Sequence, residues 1–424
     1  MTYQETLAYI YGLARFGLRP GLERISATLD ALGNPHNSLK IVHVVGTNGK
    51  GSTAAFLSSL AAAGGYRVGL YTSPHLIRFT ERLRINGEEI GEEAVVRLAE
   101  RVIEAAPTET TFFEIVTAMA FLYFAEERVD LAIIEAGMGG RMDATSSVSG
   151  MLSVITPISL DHCQYLGETI EEIAREKAGI IKAGCPVVVS PQDAAALSVI
   201  TRHCSDLECP VYLSGIDFMS SWEAEGLTYR GIQTCLAGLR PGIPGRYQQA
   251  NTAAALCAAE LLNRLGFGLS DQALRTGIDT ARWPGRMEIL GKTPRFLLDG
   301  AHNTAGASAL AEALADVPYD RLFLVMGVMG DKDAEGMLDQ LLPLTTTVFA
   351  VSPAMERAMP SSELAALCRQ RGAAAVDAGS VADGLIRSGT AAGASDLVVV
   401  TGSLFAVGEA RASLLEQRFE PCRG

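Results

Sequence analysis

The stretch that most constrains the fold of this chain is an apolar run followed at once by a glycine-rich turn. The run is Ile41-Val-His-Val-Val45, and the turn is Gly46-Thr-Asn-Gly-Lys-Gly-Ser52. Five largely apolar residues predict a buried strand, and the Ala- and Leu-rich segment from Thr53 to Ala63 predicts a helix. A strand, a glycine loop and a helix N-terminus in succession predict an α/β fold with this loop at the carboxyl end of a strand.

The same loop indicates a site for nucleotide phosphates. Backbone N–H groups converge there, the helix dipole favours negative charge, and glycines let the main chain approach closely. Lys50 would reach the terminal phosphates, and the Ser52 hydroxyl would contact a magnesium ion. The spacing departs from the usual loop, because two residues rather than four precede the Gly49-Lys50 pair and Gly51 separates Lys50 from Ser52. A short glycine turn without a nucleotide is the alternative.

Size and composition predict a two-domain globular protein. The chain has 424 residues, of which 48% are apolar and 20% charged. It shows no apolar run long enough to cross a bilayer and no basic-then-apolar leader at its N-terminus, so we expect a cytoplasmic protein that binds no membrane. The net charge of −13 argues against nucleic-acid binding.

Cysteine usage predicts reduced thiols rather than a disulfide framework or a zinc site. The eight cysteines are scattered and form no Cys-x-x-Cys pair. His203-Cys204 with Cys209 is the nearest approach to a metal cluster, and we expect no metal there.

Strand-like runs alternate with helical patterns, which predicts parallel sheets flanked by helices. The first series of strands is predicted at Ile41–Val45, Val68–Thr72, Leu131–Ala136, Leu152–Thr156 and Pro186–Ser190. The second series is predicted at Arg295–Asp299, Leu322–Gly327, Thr346–Val351, Ala373–Ala378 and Leu397–Thr401, as in a doubly wound sheet. The pattern breaks at Pro284-Gly285, so we predict domains at residues 1–285 and 286–424.

Four further elements are predicted within the first domain. Residues 81–90 form a hairpin, because Asn86-Gly87 suits a tight turn. Residues 111–127 form a buried helix, residues 209–239 a small antiparallel appendage, and an alanine-rich helix ends near Arg264.

Polar residues follow several predicted strands and are candidate metal ligands. Glu135 ends a buried strand in the domain of the phosphate loop, which suits magnesium, although a capping or salt-bridging acid is the alternative. Ser73 could add a hydroxyl contact. His162, in Leu160-Asp161-His162, is equally consistent with a structural histidine.

Other charged residues have less definite signals. Lys177 lies in an amphipathic helical pattern and by itself predicts a solvated charge. Asp299 and His302 again place an acid and a histidine after an apolar strand. Arg286, just after the predicted junction, could reach a phosphate between the domains.

Eight motifs occur in order and together carry a family resemblance. They are Gly-Thr-Asn-Gly-Lys-Gly-Ser, Thr-Ser-Pro-His, Phe-Thr-Glu-Arg-Leu-Arg-Ile-Asn-Gly, Glu-x-Gly-x-Gly-Gly-Arg-x-Asp-Ala-Thr, Leu-Asp-His, Glu-Lys-Ala-Gly-Ile, Pro-Gly-Arg and Asp-Gly-Ala-His-Asn. The chain closely resembles folylpolyglutamate synthase/dihydrofolate synthase, the folate branch of the ATP-dependent Mur ligase superfamily. The resemblance extends from near residue 1 to Glu409.

The resemblance implies a fold and a reaction. The fold is a P-loop-containing Mur-ligase-type ATPase domain with a mostly parallel sheet, followed by a smaller Rossmann-like α/β domain. In the reaction, the carboxylate of dihydropteroate or a reduced folate attacks the γ-phosphate of ATP, and the amine of L-glutamate then attacks the acyl phosphate. The resemblance also implies ATP and two magnesium ions as cofactors, and we expect a monomer.

The resemblance also assigns roles by matching motif. Ser52, Ser73 and Glu135 resemble the ligands of one magnesium, and His162 with a carbamylated Lys177 resembles the site of a second. The residues with implied catalytic roles are Lys50, Lys177, Arg286 and His302. The implied nucleotide contacts are Gly46, Thr47, Asn48, Gly49, Lys50, Gly51, Ser52, Asn251 at the adenine, Arg286 at the γ-phosphate and Asp299 at the ribose or hinge.

Two departures from the family pattern and two alternatives stay open. Ser146 and Cys163 replace the usual Asn and Thr, which puts fine substrate preference in doubt. A ligase for UDP-muramoyl peptides would need a further domain ahead of the loop, and only 45 residues precede Gly46. A non-catalytic ATP-binding module would need only the loop.

Overall fold

The structure, a computed structural model, describes residues 1–13 and 21–422, and these form two α/β lobes. The first lobe carries an eight-stranded sheet and a small three-stranded sheet, and the second lobe carries a six-stranded sheet. The chain leaves the last helix of the first lobe and reaches the first strand of the second through Pro284-Gly285. The predicted α/β fold class is confirmed.

The main sheet of the first lobe has the strand order β4-β3-β2-β5-β1-β6-β7-β8. Its strands are β1 (Ile41–Val45), β2 (Val68–Tyr71), β3 (Leu83–Ile85), β4 (Glu88–Glu89), β5 (Leu131–Glu135), β6 (Leu152–Ile155), β7 (Val187–Val189) and β8 (Val211–Leu213). All pair in parallel except the hairpin β3–β4, which adds antiparallel strands at one edge. The predicted hairpin and the first series of strands are therefore confirmed, with ends shifted by one residue at several positions.

The other two sheets follow later in the chain. The small antiparallel sheet consists of β9 (Met219–Glu223), β10 (Gly226–Arg230) and β11 (Cys235–Leu239). The second lobe has the order β12-β13-β17-β14-β15-β16, with strands β12 (Glu288–Leu290), β13 (Arg295–Leu298), β14 (Leu322–Met326), β15 (Thr347–Val351), β16 (Ala375–Gly379) and β17 (Leu397–Thr401). All pair in parallel except β12, an antiparallel edge strand that the sequence analysis missed.

Helices cover both faces of each main sheet. In the first lobe they are α1 (Tyr3–Gly12), α2 (Glu23–Ala31), α3 (Lys50–Ala63), α4 (Glu92–Ala105), α5 (Phe112–Glu126), α6 (Cys163–Leu166), α7 (Ile170–Ala178), α8 (Ala194–Asp206), α9 (Gln248–Arg264) and α10 (Asp271–Thr280). In the second lobe they are α11 (Thr304–Leu314), α12 (Ala334–Leu341), α13 (Ser361–Gln370), α14 (Val381–Ala391) and α15 (Leu404–Leu414). No helix in the described ranges is long and apolar enough to span a membrane.

The strand before the glycine loop lies at the centre of the first lobe. All five residues of β1 are buried, because β5 and β6 flank it and helices pack on both faces. One face packs against α3 and α9, which are rich in alanine, and the other against α5, which is buried on most sides as predicted. The loop after β1 is thus held by a rigid, close-packed core.

Two sequence predictions need correction. The helix after the loop begins at Lys50 rather than Thr53, so the lysine and Ser52 belong to its first turn. The appendage is smaller than predicted, because Val211–Leu213 joins the main sheet in parallel and only the strands from Met219 onward are antiparallel. Neither boundary could be predicted accurately, because short glycine- and serine-containing segments carry little periodicity.

The C-terminal segment returns to the first lobe. The Glu420 carboxylate accepts hydrogen bonds from Tyr3 Oη (3.0 Å) and Phe79 N (2.9 Å), and its own N–H donates to Ile77 O. The guanidinium of Arg82, which is buried, donates to Cys422 Sγ. The last described residues of the second lobe are therefore fastened to the first lobe.

Candidate active site

A cavity of about 340 Å³ lies between the two lobes, at the carboxyl ends of their parallel strands. The first lobe contributes the glycine loop and the segment after β2, and the second lobe contributes the loop after β13. The predicted site residues that line it are Thr47, Asn48, Gly49, Lys50, Gly51, Ser52, Ser73, Glu135, His162, Asn251, Arg286, Asp299 and His302. Ligands of doubly wound α/β sheets bind at such strand ends.

The glycines of the loop are required by close neighbours. A Cβ on Gly46 would lie 1.9 Å from Thr156 Oγ1, and one on Gly49 would lie 2.3 Å from Asn251 Oδ1. Gly49 also has φ +85°, a conformation that favours glycine, and it is the N-cap residue immediately before α3. The loop therefore presents its backbone N–H groups at the helix N-terminus, where an anion binds favourably.

Three oxygen donors converge at the ends of neighbouring strands. Ser73 follows β2, Glu135 ends β5, and Ser52 lies in the first turn after β1. Ser73 N donates to Glu135 Oε2 at 3.2 Å. Burial raises the pKa of the Glu135 carboxyl, although the nearby positive charge of Lys50 lowers it in part. A buried carboxylate and two serines that line the same cavity supply oxygen donors of the kind that magnesium prefers.

Lys177 is buried and not the solvated charge that its helical pattern predicts by itself. Its side chain is 4% exposed, and Nζ donates to Gly46 O at 2.8 Å. Burial, with the nearby charge of Lys50, lowers the pKa of the Lys177 ammonium to about 7. A large fraction of the amine is therefore neutral near neutral pH, and a neutral amine is nucleophilic.

Asp161 is the centre of a charged cluster that spans the lobes. The Lys332 ammonium donates to Asp161 Oδ1, Asn303 Nδ2 donates to Oδ2 at 3.1 Å, and His302 Nε2 lies 3.4 Å from Oδ2. Burial opposes ionisation of Asp161, but His302, His162 and Lys332 hold its pKa well below the usual range. This carboxylate thus links three side chains of the second lobe to the first.

His162 is directed into the same cluster. Its backbone is left-handed, with φ +50°, and its Nε2 lies 3.4 Å from Lys332 Nζ. Burial and the neighbouring cations lower the pKa of His162 to about 4, against the opposing effect of Asp161. The ring is therefore neutral at physiological pH, the form in which histidine binds metals.

A second group of contacts organises the opposite wall. Tyr247 Oη donates to Asp299 Oδ2 at 2.7 Å, and the same carboxylate accepts from Met287 N and Ala301 N. Asn251 Nδ2 donates to Gln248 Oε1 at 2.8 Å. The Gln248 amide in turn donates to Ser52 Oγ at 3.3 Å, so α9 supports the loop directly.

The sequence analysis missed several of these residues as functional candidates. Lys332 and Asn303 join the Asp161 cluster, and Tyr247 and Gln248 hold Asp299 and Ser52. The sequence does place Lys332 shortly after a predicted strand, because only residues 327–331 separate it from the end of β14. Its position near a strand end is the signal that points to the site. Among the described residues no three His, Cys, Asp or Glu side chains form a metal-binding group, and this includes His203 with its neighbouring cysteines.

Comparison with known proteins agrees with this architecture. The model of the Mur ligase middle domain matches residues 44–259, and that of the Mur ligase, glutamate ligase domain matches residues 285–404. The chain therefore belongs to the Mur ligases.

Relatives that align over nearly the whole chain show to which family of Mur ligases it belongs. The chain is 37% identical to the dihydrofolate synthase/folylpolyglutamate synthase of Bacillus subtilis, over 97% of this chain and 99% of the relative. Escherichia coli FolC in complex with DHPP and ADP superposes with a TM-score of 0.89 at 31% identity, covering 97% and 98% of the two chains. The Yersinia pestis bifunctional enzyme complexed with AMPPNP and Mn ion gives 0.89 at 32% identity, covering 98% of each chain. The chain belongs to the dihydrofolate synthase/folylpolyglutamate synthase family, and the predicted family and enzyme class are confirmed.

Proposed function

We propose that this chain joins L-glutamate to a folate-type carboxylate in an ATP-dependent reaction. The acceptor is dihydropteroate, a reduced folate or both. Its carboxylate oxygen attacks the γ-phosphorus of ATP and ADP leaves; the amine of glutamate then attacks the acyl carbon and inorganic phosphate leaves with one proton released. The observation that carries the proposal is the cavity between the lobes, which combines a phosphate-binding loop with oxygen donors and cationic side chains.

The charges of the reaction explain why such a cavity is needed. A carboxylate is a poor acyl donor. It is also repelled by the triphosphate, because both groups are negatively charged. We assign Lys50 and Arg286 to neutralise the phosphates, with the loop of residues 46–52 as a cradle; the N–H groups of Thr47 and Asn48 donate to Pro157 O, so those of residues 49–52 would face the phosphates. Lys50 Nζ donates to Thr47 O at 3.1 Å, and Arg286 Nη1 donates to Gly285 O at 2.9 Å, so both cations are held beside the cavity.

The donor sets fit a divalent metal ion. We assign Ser52, Ser73 and Glu135 to one magnesium, because the buried Glu135 carboxylate needs a nearby positive charge. A bound magnesium would neutralise charge on the phosphates. We further propose a second ion at His162 and a carbamylated Lys177, since the lowered pKa of that amine favours its reaction with carbon dioxide and the carbamate is anionic.

The remaining assignments concern the nucleotide, glutamate and the domain limits. We assign Asn251 to the adenine, Asp299 to the ribose or hinge side, and His302 to the region where nucleotide and glutamate meet. Residues 1–285 would form the ATPase domain and residues 286–424 the glutamate-ligase domain, with glutamate entering between them. Exclusion of water by the closed lobes would protect the acyl phosphate from hydrolysis.

The deciding experiment measures acceptor-dependent turnover. Purified protein is incubated with ATP, magnesium, L-glutamate and either 7,8-dihydropteroate or a tetrahydrofolate, and ADP release and product mass are followed. We expect one glutamate added per ADP formed. Absence of acceptor-dependent ADP release with every acceptor would sink the ligase assignment and favour a non-catalytic ATP-binding module. Comparison of the two acceptors also shows whether the enzyme is bifunctional.

A further inference from the structure

Arg84 is a cavity-lining cation that none of the roles above uses. It lies on β3, in the edge hairpin of the first lobe, and its side chain is 13% exposed. Its Cζ lies 5.4 Å from the centre of the Trp283 ring, and Trp283 also lines the cavity. A Cβ added to Gly51 would come within 2.9 Å of Trp283 Nε1, so the indole connects Arg84 to the phosphate loop.

The Nε group of Arg84 is held by a hydrogen bond, whereas its terminal guanidinium nitrogens are available to a ligand. Nε donates to Glu81 O at 3.1 Å, and the guanidinium lies over the indole, an arrangement that stabilises a cation. Its terminal nitrogens donate no hydrogen bond to any residue in the described ranges. The two carboxylates near Nη2, those of Glu81 and Glu89, lie at 3.8 and 3.9 Å.

Those two carboxylates have other primary partners. Glu81 accepts three backbone hydrogen bonds of 2.9 Å, from the N–H groups of residues 76, 77 and 78. Glu89 accepts from Arg78 Nη2 and Thr80 Oγ1. Because these bonds fix both acids, the outer edge of the Arg84 guanidinium can receive an incoming carboxylate, for which its planar fork is well matched.

We propose that Arg84 is a specificity-determining residue that binds the non-reacting carboxylate of a glutamate-bearing acceptor. The proposal rests on the proposed function, which puts the reacting carboxylate at the phosphate loop. Dihydropteroate has one carboxylate, and that one reacts. A reduced folate carries two on its glutamate, so one is left free, and Arg84 beyond Trp283 is positioned to bind it. Arg84 therefore favours chain extension over the first glutamate addition.

The test compares acceptors that differ in this carboxylate alone. Steady-state kinetics are measured with dihydropteroate, with a tetrahydrofolate, and with a tetrahydrofolate analogue whose non-reacting carboxylate is a carboxamide. The variants are Arg84→Gln and Arg84→Lys, and the control is Arg97→Gln, an exposed arginine of the first lobe that pairs with Glu126 and does not line the cavity. Loss of a charge-assisted hydrogen bond is expected to raise KM about 10- to 100-fold.

We expect that rise in Arg84→Gln for the tetrahydrofolate only, with kcat and the KM for dihydropteroate within twofold of wild type. The wild-type preference for carboxylate over carboxamide should disappear in Arg84→Gln, be partly kept in Arg84→Lys and be unchanged in Arg97→Gln. An equal rise in KM for all acceptors, or no rise for any, would overturn the inference. A wild-type enzyme that accepts only dihydropteroate would also overturn it, while leaving the ligase function intact; absence of turnover with any acceptor would instead refute the proposed function.

Discussion

Asn48 and Asn303 exchange two amide hydrogen bonds across the boundary between the lobes, at 3.1 and 3.0 Å. Asn48 belongs to the phosphate loop, and Asn303 caps α11 through a bond from Gly306 N to its Oδ1. Since Asn303 Nδ2 also donates to Asp161, both hydrogens and both lone pairs of this amide are used. The pair thus reports directly whether the loop and the second lobe are in contact.

We expect the effects of Asn48→Ala and Asn303→Ala on kcat/KM to be non-additive. Each substitution alone removes both hydrogen bonds between the two amides, so adding the other substitution removes little further stabilisation. The interaction energy of the double-mutant cycle should be about 1–3 kcal/mol. Asn303→Ala should be the more damaging change, because it also removes a bond to Asp161 and the helix cap. Initial rates of ADP release for the two single variants and the double variant give the cycle. Strict additivity would show that the pair is not coupled during turnover.

Replacement of Lys177 by alanine should abolish most of the activity. Loss of an anionic ligand made from this side chain should lower kcat at least about 100-fold. Acetate or formate at high concentration should restore part of it, because either can occupy the space of the missing carbamate. Rates are measured over a titration of each carboxylate, with chloride as the ionic-strength control. Full activity of Lys177→Ala in plain buffer would remove the carbamate role.

The buried Lys177 also predicts a pH-dependent stability difference in the metal-free, carbon dioxide-depleted protein. Its pKa is about 7 when folded and near 10.5 when unfolded, so the folded state binds fewer protons between these values. Burial of Lys177 lowers the free energy of unfolding by its full amount below pH 7, and this destabilisation decreases as the pH rises toward 10.5. Lys177→Met should therefore raise the melting temperature most at pH 6 to 7 and hardly at pH 10. A difference that is constant with pH would contradict the buried-amine interpretation.

Replacement of Lys332 by methionine should weaken catalysis through the Asp161 cluster. It leaves a buried carboxylate without its cation, and we expect kcat/KM to fall about 10- to 100-fold with a lower melting temperature. The double variant Lys332→Met/Asp161→Asn should regain stability, because both charges are then absent. Lys292→Met, at an exposed position of the second lobe, is the matched control and should be neutral. Equal behaviour of the two lysine variants would refute a role for the cluster.

Gly49 and Gly65 offer a matched test of the phosphate loop. Both have positive φ, +85° and +87°, but a Cβ at Gly49 meets Asn251 whereas one at Gly65 meets nothing within 4 Å. Gly65→Ala should therefore cost only about 1 kcal/mol of backbone strain. Gly49→Ala should in addition displace the loop and raise the KM for ATP at least about 10-fold. Similar ATP kinetics in both variants would show that the contact with Asn251 is unimportant.

Sequence reasoning found the parts of the site that local patterns specify. Glu135 and Ser73 follow buried strands, and strand ends meet at one edge of a parallel sheet, so their convergence was predictable. The helical pattern by itself predicts a solvated Lys177, and only the family resemblance places it in the site; its spacing of four residues from Ile173 nevertheless puts it on the buried helix face. The Lys332–Asp161 pair joins residues 171 positions apart, and no periodicity in either segment encodes such a contact.

The fastening of Glu420 to Tyr3 and Phe79 gives the two lobes a second point of attachment. The first is the covalent passage through Pro284-Gly285. If the contacts that cross the cavity, such as Asn48 with Asn303, break while these two attachments hold, the lobes keep a single rotational freedom, about the line that joins the two attachments. Opening of the cavity to admit substrates would then be a swing about one axis, so that the lobes would return to the same register at every turnover.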